Sequence, residues 1–235
     1  MIFEIKPKPK KGFTLAEVLI TLGIIGVISA MVVPQLQASV RKQQLRTKFL
    51  KTYSMLQQTF KTMEANDVSL DSGTYKFKQN GFFYQTFAKY IKNTQTCYGN
   101  YKFPCYDPSP STNRYKSLDG KSTISYAFLD DGQIVLLDGT LLIFENEIYS
   151  QSSTMRIIII FADLNGYNNQ PNRLGYDLFA FQFINNQLLP MGAEGTKYTG
   201  DNFCKKSGSE PFNGMSCSYK AISDPSYFKN LDKAN

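Results

Sequence analysis

The longest hydrophobic stretch of the chain runs from Phe13 to Val33 and contains one charged residue, Glu17. A helix of this length spans about 30 Å, the thickness of the hydrocarbon core of a bilayer. So long an apolar run is rare in a soluble core, and the apolar region of a secretory signal peptide is shorter. We therefore predict a transmembrane helix over residues 13–33, with Pro34 bending the helix just after it.

Apolar residues continue at helical spacing after Pro34 and predict that the same helix extends to Glu64. Polar residues separate them, so this second half should be amphipathic and should need a globular domain to cover one face. The apolar positions are Leu36, Val40, Leu45, Phe49, Tyr53, Leu56, Phe60 and Met63.

The remaining residues, 65–235, lose this periodicity and contain short apolar runs separated by Asp-Gly and Asn-Asn pairs, which are typical of hairpin turns. We predict an α+β fold in which an antiparallel sheet of four to six strands packs on the second half of the long helix. A short helix is predicted over 81–92, and strands over 122–129, "QIVLL", "TLLIF", 154–162, 176–183 and "QLLPM".

Composition narrows the possible chemistry. The chain has no histidine, which lowers the odds of a Ser-His-Asp or Cys-His enzyme and of a His-ligated zinc site. Phosphate-loop, G-x-S-x-G and H-E-x-x-H motifs are also absent from the sequence. We therefore do not predict an enzyme.

Charge is unevenly distributed along the chain. The net charge is +7, of which the first twelve residues contribute +3 (four lysines and one glutamate). The rest is only mildly basic, so nucleic-acid binding by the whole protein is not indicated. One basic segment, 35–63, carries six Lys or Arg residues and no acidic residue. Anionic lipid headgroups or other subunits are its expected neighbours, and DNA is the alternative.

The segment "KGFTLAEVL" resembles the prepilin cleavage and methylation motif of type IV pilins and type II secretion pseudopilins. That motif is a basic leader, a glycine, an aromatic residue, Thr-Leu, one variable residue and a glutamate, followed by an apolar run. Here the glycine is Gly12, the aromatic residue is Phe13 and the glutamate is Glu17, and Pro34 lies where these proteins often have a helix-bending proline. The resemblance extends over about residues 6–63 and implies that the predicted α+β fold is pilin-like.

The resemblance implies that residues 1–12 are a leader that a prepilin peptidase removes between Gly12 and Phe13. The enzyme would then methylate the new amino group of Phe13, and Glu17 would pair with that amine in a neighbouring subunit. A carboxylate in a membrane is costly and usually has a partner, although a lone glutamate reaching the membrane edge is the alternative. The implied location is a single pass of the inner membrane, with residues 65–235 as a head in the periplasm or on a filament.

The function implied is that of a structural subunit of a pilus or a type II secretion pseudopilus, with a minor subunit favoured because the head is large. Its partners would be the prepilin peptidase, other subunits, the inner-membrane assembly platform and the membrane. A binding module on such a filament, an adhesin or a DNA-uptake minor pilin, is the second hypothesis. An unrelated membrane-anchored enzyme is the third.

Four cysteines form two local groups, Cys97/Cys105 and Cys204/Cys217. An exported head favours disulfides, and we predict local pairing, although four cysteines allow three connectivities. A zinc site with four cysteines is the alternative, but neither spacing fits its usual ligand pairs. The Cys204–Cys217 pair would resemble the C-terminal disulfide loop of many pilins.

The segment 162–181, "ADLNGYNNQPNRLGYDLFAF", joins two predicted strands through a loop rich in oxygen-bearing side chains. Asp-x-Asn-Gly opens many calcium loops, so Asp163, Asn165 and Asp177 are candidate Ca²⁺ ligands. Position twelve from Asp163 is Leu174, so the bidentate carboxylate of an EF-hand is missing. The alternative is a structural turn held by Asx hydrogen bonds, with Gly166 and Gly175 at positive φ.

Overall fold

The computed structural model describes residues 12–71, 74–75, 83–91, 94–97, 104–148, 156–208 and 210–231. The predicted leader, apart from Gly12, lies outside the described residues. The chain divides into two compact units, one ending at Arg41 and the other running from Lys42 to the C-terminus.

The long helix α1 runs from Leu15 to Ala65 and is 51 residues long. Pro34 lies inside it and removes one backbone donor, but helical structure continues on both sides. The helix begins two residues later than predicted because Thr14 caps it: the Thr14 carbonyl accepts the first helical bond, from the Val18 N–H at 3.2 Å.

In the part of the chain that the structure describes, six strands form one sheet in which every neighbouring pair is antiparallel and the spatial order follows the chain order. Such a meander needs only short connections between consecutive strands. The strands are β1 (Thr94–Cys97), β2 (Gln133–Leu136), β3 (Leu141–Ile148), β4 (Arg156–Asp163), β5 (Leu178–Ile184) and β6 (Gln187–Pro190), with short helices α2 (Phe83–Ala88) and α3 (Cys217–Ser223).

Strands β2 to β6 fall on five of the predicted apolar runs, and α2 falls inside the predicted short helix. The strand predicted over 122–129 is wrong: a single bridge at Thr123 is followed by a 3₁₀ helix, Tyr126–Phe128. Strand β1, "TQTC", was not predicted because its sequence is mostly polar and contains no apolar run. It is placed by its pairing with β2, a tertiary contact that short-range patterns do not encode.

Both faces of the sheet are buried, which explains the continuous apolar run at Ile157–Ile160 in β4. One face packs on the second half of α1 and on α2, and the core there contains Phe49, Phe60 and Phe181. The opposite face is covered by the irregular segment between β1 and β2 and by the segment that follows β6. Its core includes Tyr106, Tyr115 and Met215. Alternate residues of each central strand therefore belong to different cores.

Two lysines of α1 hold loops at one end of the sheet. The Lys48 ammonium donates to the carbonyl oxygens of Asp138, in the β2–β3 turn, and Leu164, just after β4, at 2.8 and 2.9 Å. Lys51 forms an ion pair with the Asp138 carboxylate at 2.8 Å. Lys48 and Lys51, two of the six basic residues of segment 35–63, therefore bind groups of the same chain.

Candidate functional site

The start of α1 is a capping box formed by Thr14 and Glu17. The Glu17 Oε2 accepts hydrogen bonds from the Thr14 N–H and the Thr14 hydroxyl, both at 2.8 Å. In return the Glu17 N–H donates to the Thr14 hydroxyl oxygen at 3.3 Å. This reciprocal pattern satisfies backbone donors that a helix otherwise leaves unpaired at its N-terminus. The structure thus gives Glu17 a local role that the sequence analysis did not identify, although Thr-x-x-Glu is a readable signature of it.

The apolar residues that follow are exposed in the isolated chain. Phe13 is 89% exposed, and every large apolar side chain from Leu15 to Val33 is more than 40% exposed. The helix is long and apolar enough to cross a membrane by length and composition, and none of its most apolar window is buried. Gly12 lies three residues before the start of α1, and a Cβ atom there would meet nothing within 4 Å. An apolar surface of this extent is typical of a membrane or protein contact.

Residues 7–33 match the family described as "Prokaryotic N-terminal methylation motif". The match contains Gly12, Phe13, the capping box and the exposed apolar run. The chain carries the hallmark of type IV pilins and pseudopilins. No curated protein and no solved structure matches the chain.

The methylation motif supports a type IV pilin-like or pseudopilin subunit. It implies processing by a prepilin peptidase and assembly with other pilin subunits. Together with the single apolar N-terminal helix it is consistent with a membrane-anchored protein. The long helix followed by an antiparallel sheet is a pilin-like α+β arrangement, as the sequence predicts.

The four cysteines form two disulfides, Cys97–Cys105 and Cys204–Cys217. This is the local pairing favoured by the sequence. The first joins the end of β1 to the loop that covers one face of the sheet, and the second joins a 3₁₀ helix to the start of α3. Short covalent loops of this kind suit segments that have little regular structure of their own.

The β4–β5 loop (residues 164–177) is arranged around two aspartates: Asp163, the last residue of β4, and Asp177, the last residue of the loop. The Asp163 Oδ1 accepts hydrogen bonds from the Asn165 and Gly166 N–H groups at 3.2 and 2.9 Å. Its Oδ2 accepts a bond from the Tyr115 hydroxyl at 2.8 Å. At the other end, Asp177 accepts bonds from the backbone N–H groups of Asn172 and Arg173, at 3.0 and 2.7 Å.

The two aspartates are buried and lie close enough to affect each other. Burial, and then repulsion from Asp177, raises the pKa of Asp163 to about 8. Burial also raises the pKa of Asp177, against the opposing effect of its hydrogen bonds. The structure therefore brings together Asp163, Asn165 and Asp177, the three residues that the sequence suggests as calcium ligands.

The hydrogen bonds that Asp163 accepts from the Asn165 and Gly166 N–H groups also form an Asx turn, which the sequence suggests as the alternative to a calcium loop. Gly166 and Gly175 have φ of 79° and 72°, a region that favours glycine, and a Cβ on Gly166 would lie 2.8 Å from the Gly139 carbonyl oxygen. Tyr115 was not identified from the sequence, whereas Asn172 belongs to the loop that the sequence marked as rich in oxygen-bearing side chains. Tyr115 is 48 residues from Asp163, and no local pattern signals such a contact.

Another carboxylate, the partly buried Asp131, lies just before β2 and accepts a hydrogen bond from the Asn146 N–H at 2.8 Å. Burial raises its pKa from 3.8 to about 6, and neighbouring Asp130 adds to the effect. The folded protein therefore favours the neutral form of Asp131. The free energy of unfolding decreases as the pH rises from about 4 through 6, because Asp131 must then ionise in the folded protein.

We expect Asp131→Asn to raise the free energy of unfolding by about 2–3 kcal/mol near pH 8 and to have little effect near pH 4. Asparagine can still accept the Asn146 bond but carries no charge. Urea unfolding of both proteins at the two pH values measures the difference. An equal effect at both pH values would contradict the titration argument.

Proposed function

We propose that the chain is a structural subunit of a bacterial pilus or pseudopilus. A prepilin peptidase cuts between Gly12 and Phe13 and methylates the Phe13 amine. The apolar helix holds the protein in the inner membrane, with the head on the extracytoplasmic side, until the assembly platform extracts it into a filament. The observation that carries this proposal is the methylation motif in front of an exposed apolar helix.

The environment of Glu17 supports assembly through the helix. Thr14 supplies two hydrogen bonds to the carboxylate but no positive charge, and within the described part of the chain Glu17 forms no ion pair. An acidic side chain in a membrane costs about 2.5–3.5 kcal/mol on insertion scales. A neighbour's Phe13 amine, which cleavage creates, would supply the missing charge at the same depth.

Within this class we favour a minor subunit of a type II secretion pseudopilus. Residues 65–235 form a head of 171 residues, which is large for a major pseudopilin by resemblance to that family. The DNA-uptake alternative receives little support from α1, because Lys48 and Lys51 bind the head itself.

The test is incorporation of Glu17→Ala into filaments beside the wild-type subunit. Differently tagged copies are expressed together in cells that contain the chain's own assembly machinery, and sheared filaments are probed for both tags. We expect the variant to be cleaved but to be reduced in filaments by about tenfold or more, because the intersubunit charge pair is lost.

The matched control is Glu64→Ala, which removes the only other glutamate of α1, an exposed one at the far end of the helix. It should enter filaments as the wild type does. Normal incorporation of Glu17→Ala would overturn the proposed pairing, and absence of both wild-type and variant chains from every filament would overturn the proposed function.

A further inference from the structure

We propose that one face of the head binds the anionic phospholipid headgroups of the membrane that anchors the chain. This surface, the basic face, carries Arg114, Lys116, Lys121 and Arg173. The inference rests on the proposed anchoring of the chain in a membrane, but not on its assembly into a filament. A head bound in this way lies against the membrane surface until assembly removes it.

Arg114 and Lys116 lie on the outer side of one extended segment. Tyr115 and Ser117, which alternate with the two cations, have zero exposure. Successive side chains of an extended chain point to opposite sides, so both cations point away from the core. The Arg114 guanidinium lies over the Tyr167 ring, 5.7 Å from its centroid. This contact holds the side chain in place without using its hydrogen-bond donors.

Arg173 points to the same side, directly beside Lys116. The two residues form a parallel bridge, in which the Lys116 N–H donates to the Asn172 carbonyl and the Leu174 N–H donates to the Lys116 carbonyl, both at 2.9 Å. Asn172 and Leu174 have zero exposure, whereas Arg173 is half-buried, so its side chain points outward. Asp177, which binds the Arg173 backbone N–H at 2.7 Å, is buried and adds no exposed negative charge. Like charges opposite each other are destabilising, so this pair favours a bound anion.

The exposed Lys121 completes the basic face. It follows Gly120, where an added Cβ would lie 2.8 Å from the guanidinium carbon of Arg173. Asp119 is the only acidic residue of segment 114–123, and its carboxylate accepts hydrogen bonds from the Ser117 hydroxyl and the Lys121 backbone N–H. Among the residues that the structure describes, none of the four cations forms an ion pair. The face therefore has an excess of positive charge that an anionic surface can neutralise.

The position of the basic face within its unit favours lipid as the anionic partner. Arg173 belongs to the β4–β5 loop, whose first residue, Leu164, accepts a hydrogen bond from Lys48 at 2.9 Å. Lys48 lies near the start of the unit, which begins at Lys42, and only residues 34–41 separate that unit from the apolar run. So short a tether keeps anionic headgroups at a high local concentration, and basic residues near such a surface bind it electrostatically.

The experiment measures how close the head lies to the headgroups. The full-length chain is reconstituted in vesicles of phosphatidylcholine, with or without about 30% phosphatidylglycerol, and each membrane contains a lipid with a spin-labelled headgroup that quenches fluorescence. A fluorophore is attached to Ser111→Cys, an exposed position close to Arg114 in the chain. The native cysteines are paired in disulfides and do not react.

We expect quenching to be about threefold stronger or more in the membrane that contains phosphatidylglycerol, because its charge attracts the basic face. The difference should disappear in about 0.5 M NaCl, which screens exposed charges. Equal quenching in the two membranes, or a difference that persists at high salt, would overturn the proposal.

Lys121→Gln/Arg173→Gln removes two charges of the basic face. It should lower the ratio of docked to undocked heads by about tenfold or more, since each basic residue near the surface contributes to binding. If this variant does not fold, Lys121→Glu changes only an exposed side chain and should cause a similar decrease.

The matched control is Lys61→Gln/Lys89→Gln, which removes the same charge from two exposed positions outside the basic face. It should keep the full difference between the membranes. Equal docking of the two double variants would contradict the assignment of the face.

Soluble anions and the anchor are tested in the same vesicles. Inorganic phosphate or duplex DNA, added at constant ionic strength, should leave the quenching unchanged, and release of the head by either would overturn the choice of lipid. Flotation of the chain with both kinds of vesicle reports anchoring separately. A chain that floats without phosphatidylglycerol-dependent quenching contradicts only the lipid contact, whereas a chain that does not float contradicts the proposed anchor and the contact together.

Discussion

Gly12→Val is expected to abolish processing, so that the whole population of the chain keeps its leader and carries no methylated Phe13. The reason is access: a peptidase that cuts after glycine approaches the backbone closely, and a branched side chain would block that approach. A Cβ atom at position 12 would meet nothing within 4 Å, so we expect the substitution to leave the fold unchanged. Mass spectrometry of the N-terminal peptide, in cells with and without a prepilin peptidase, measures the outcome.

The matched control is Gly23→Val, within α1. A Cβ at that glycine also meets nothing within 4 Å, and the change adds the same side chain eleven residues downstream. It should be processed as the wild type is. Gly12 is the last residue of the leader. A Gly12→Val chain that is cut between residues 12 and 13 would therefore yield the same mature sequence as the wild type. Processing of Gly12→Val at the wild-type rate would argue against cleavage at this position.

Phe49→Ala is expected to lower the free energy of unfolding of the residue 42–235 unit by about 3–5 kcal/mol. Phe49 has zero exposure. The centroid of its ring lies 4.6 Å from the ring centroid of Phe179, 5.8 Å from that of Phe181 and 5.5 Å from that of Phe228. Truncation removes these contacts and leaves a cavity between α1 and β5 that rigid neighbours cannot close. Since domains are stable by only about 5–15 kcal/mol, this is a large fraction of the total.

Urea unfolding of the full-length chain in micelles, followed by tyrosine fluorescence, measures the effect, because the sequence has fifteen tyrosines and no tryptophan. Leu50→Ala is the control, since the adjacent side chain is 41% exposed and should change the stability by about 0.5 kcal/mol or less. Equal unfolding midpoints for the two variants would mean that α1 does not contribute its Phe49 face to the core.

Local patterns predicted the helix and most of the sheet. Apolar spacing indicated α1 to within two residues at its start, and the pairs Asp138-Gly139 and Asn185-Asn186 marked the turns between β2 and β3 and between β5 and β6. Asn185 and Asn186 both have positive φ, the conformation that a tight hairpin requires. Strand β1 and the segment 122–129 were missed, because their structure depends on pairing with β2 and on packing against the sheet.

The sequence by itself determined the methylation motif, the apolar anchor and the loop that contains Asp163, Asn165 and Asp177, because each depends on residues close together in the chain. The tertiary structure decided which groups meet across long separations: Tyr115 with Asp163 over 48 residues, and Lys48 with the carbonyls of Asp138 and Leu164 over 90 and 116. It also decided which oxygens are left without a donor. Burial is a property of the packed fold, so no local pattern can show that the oxygens of Asn165 and Asn172 are shielded from water.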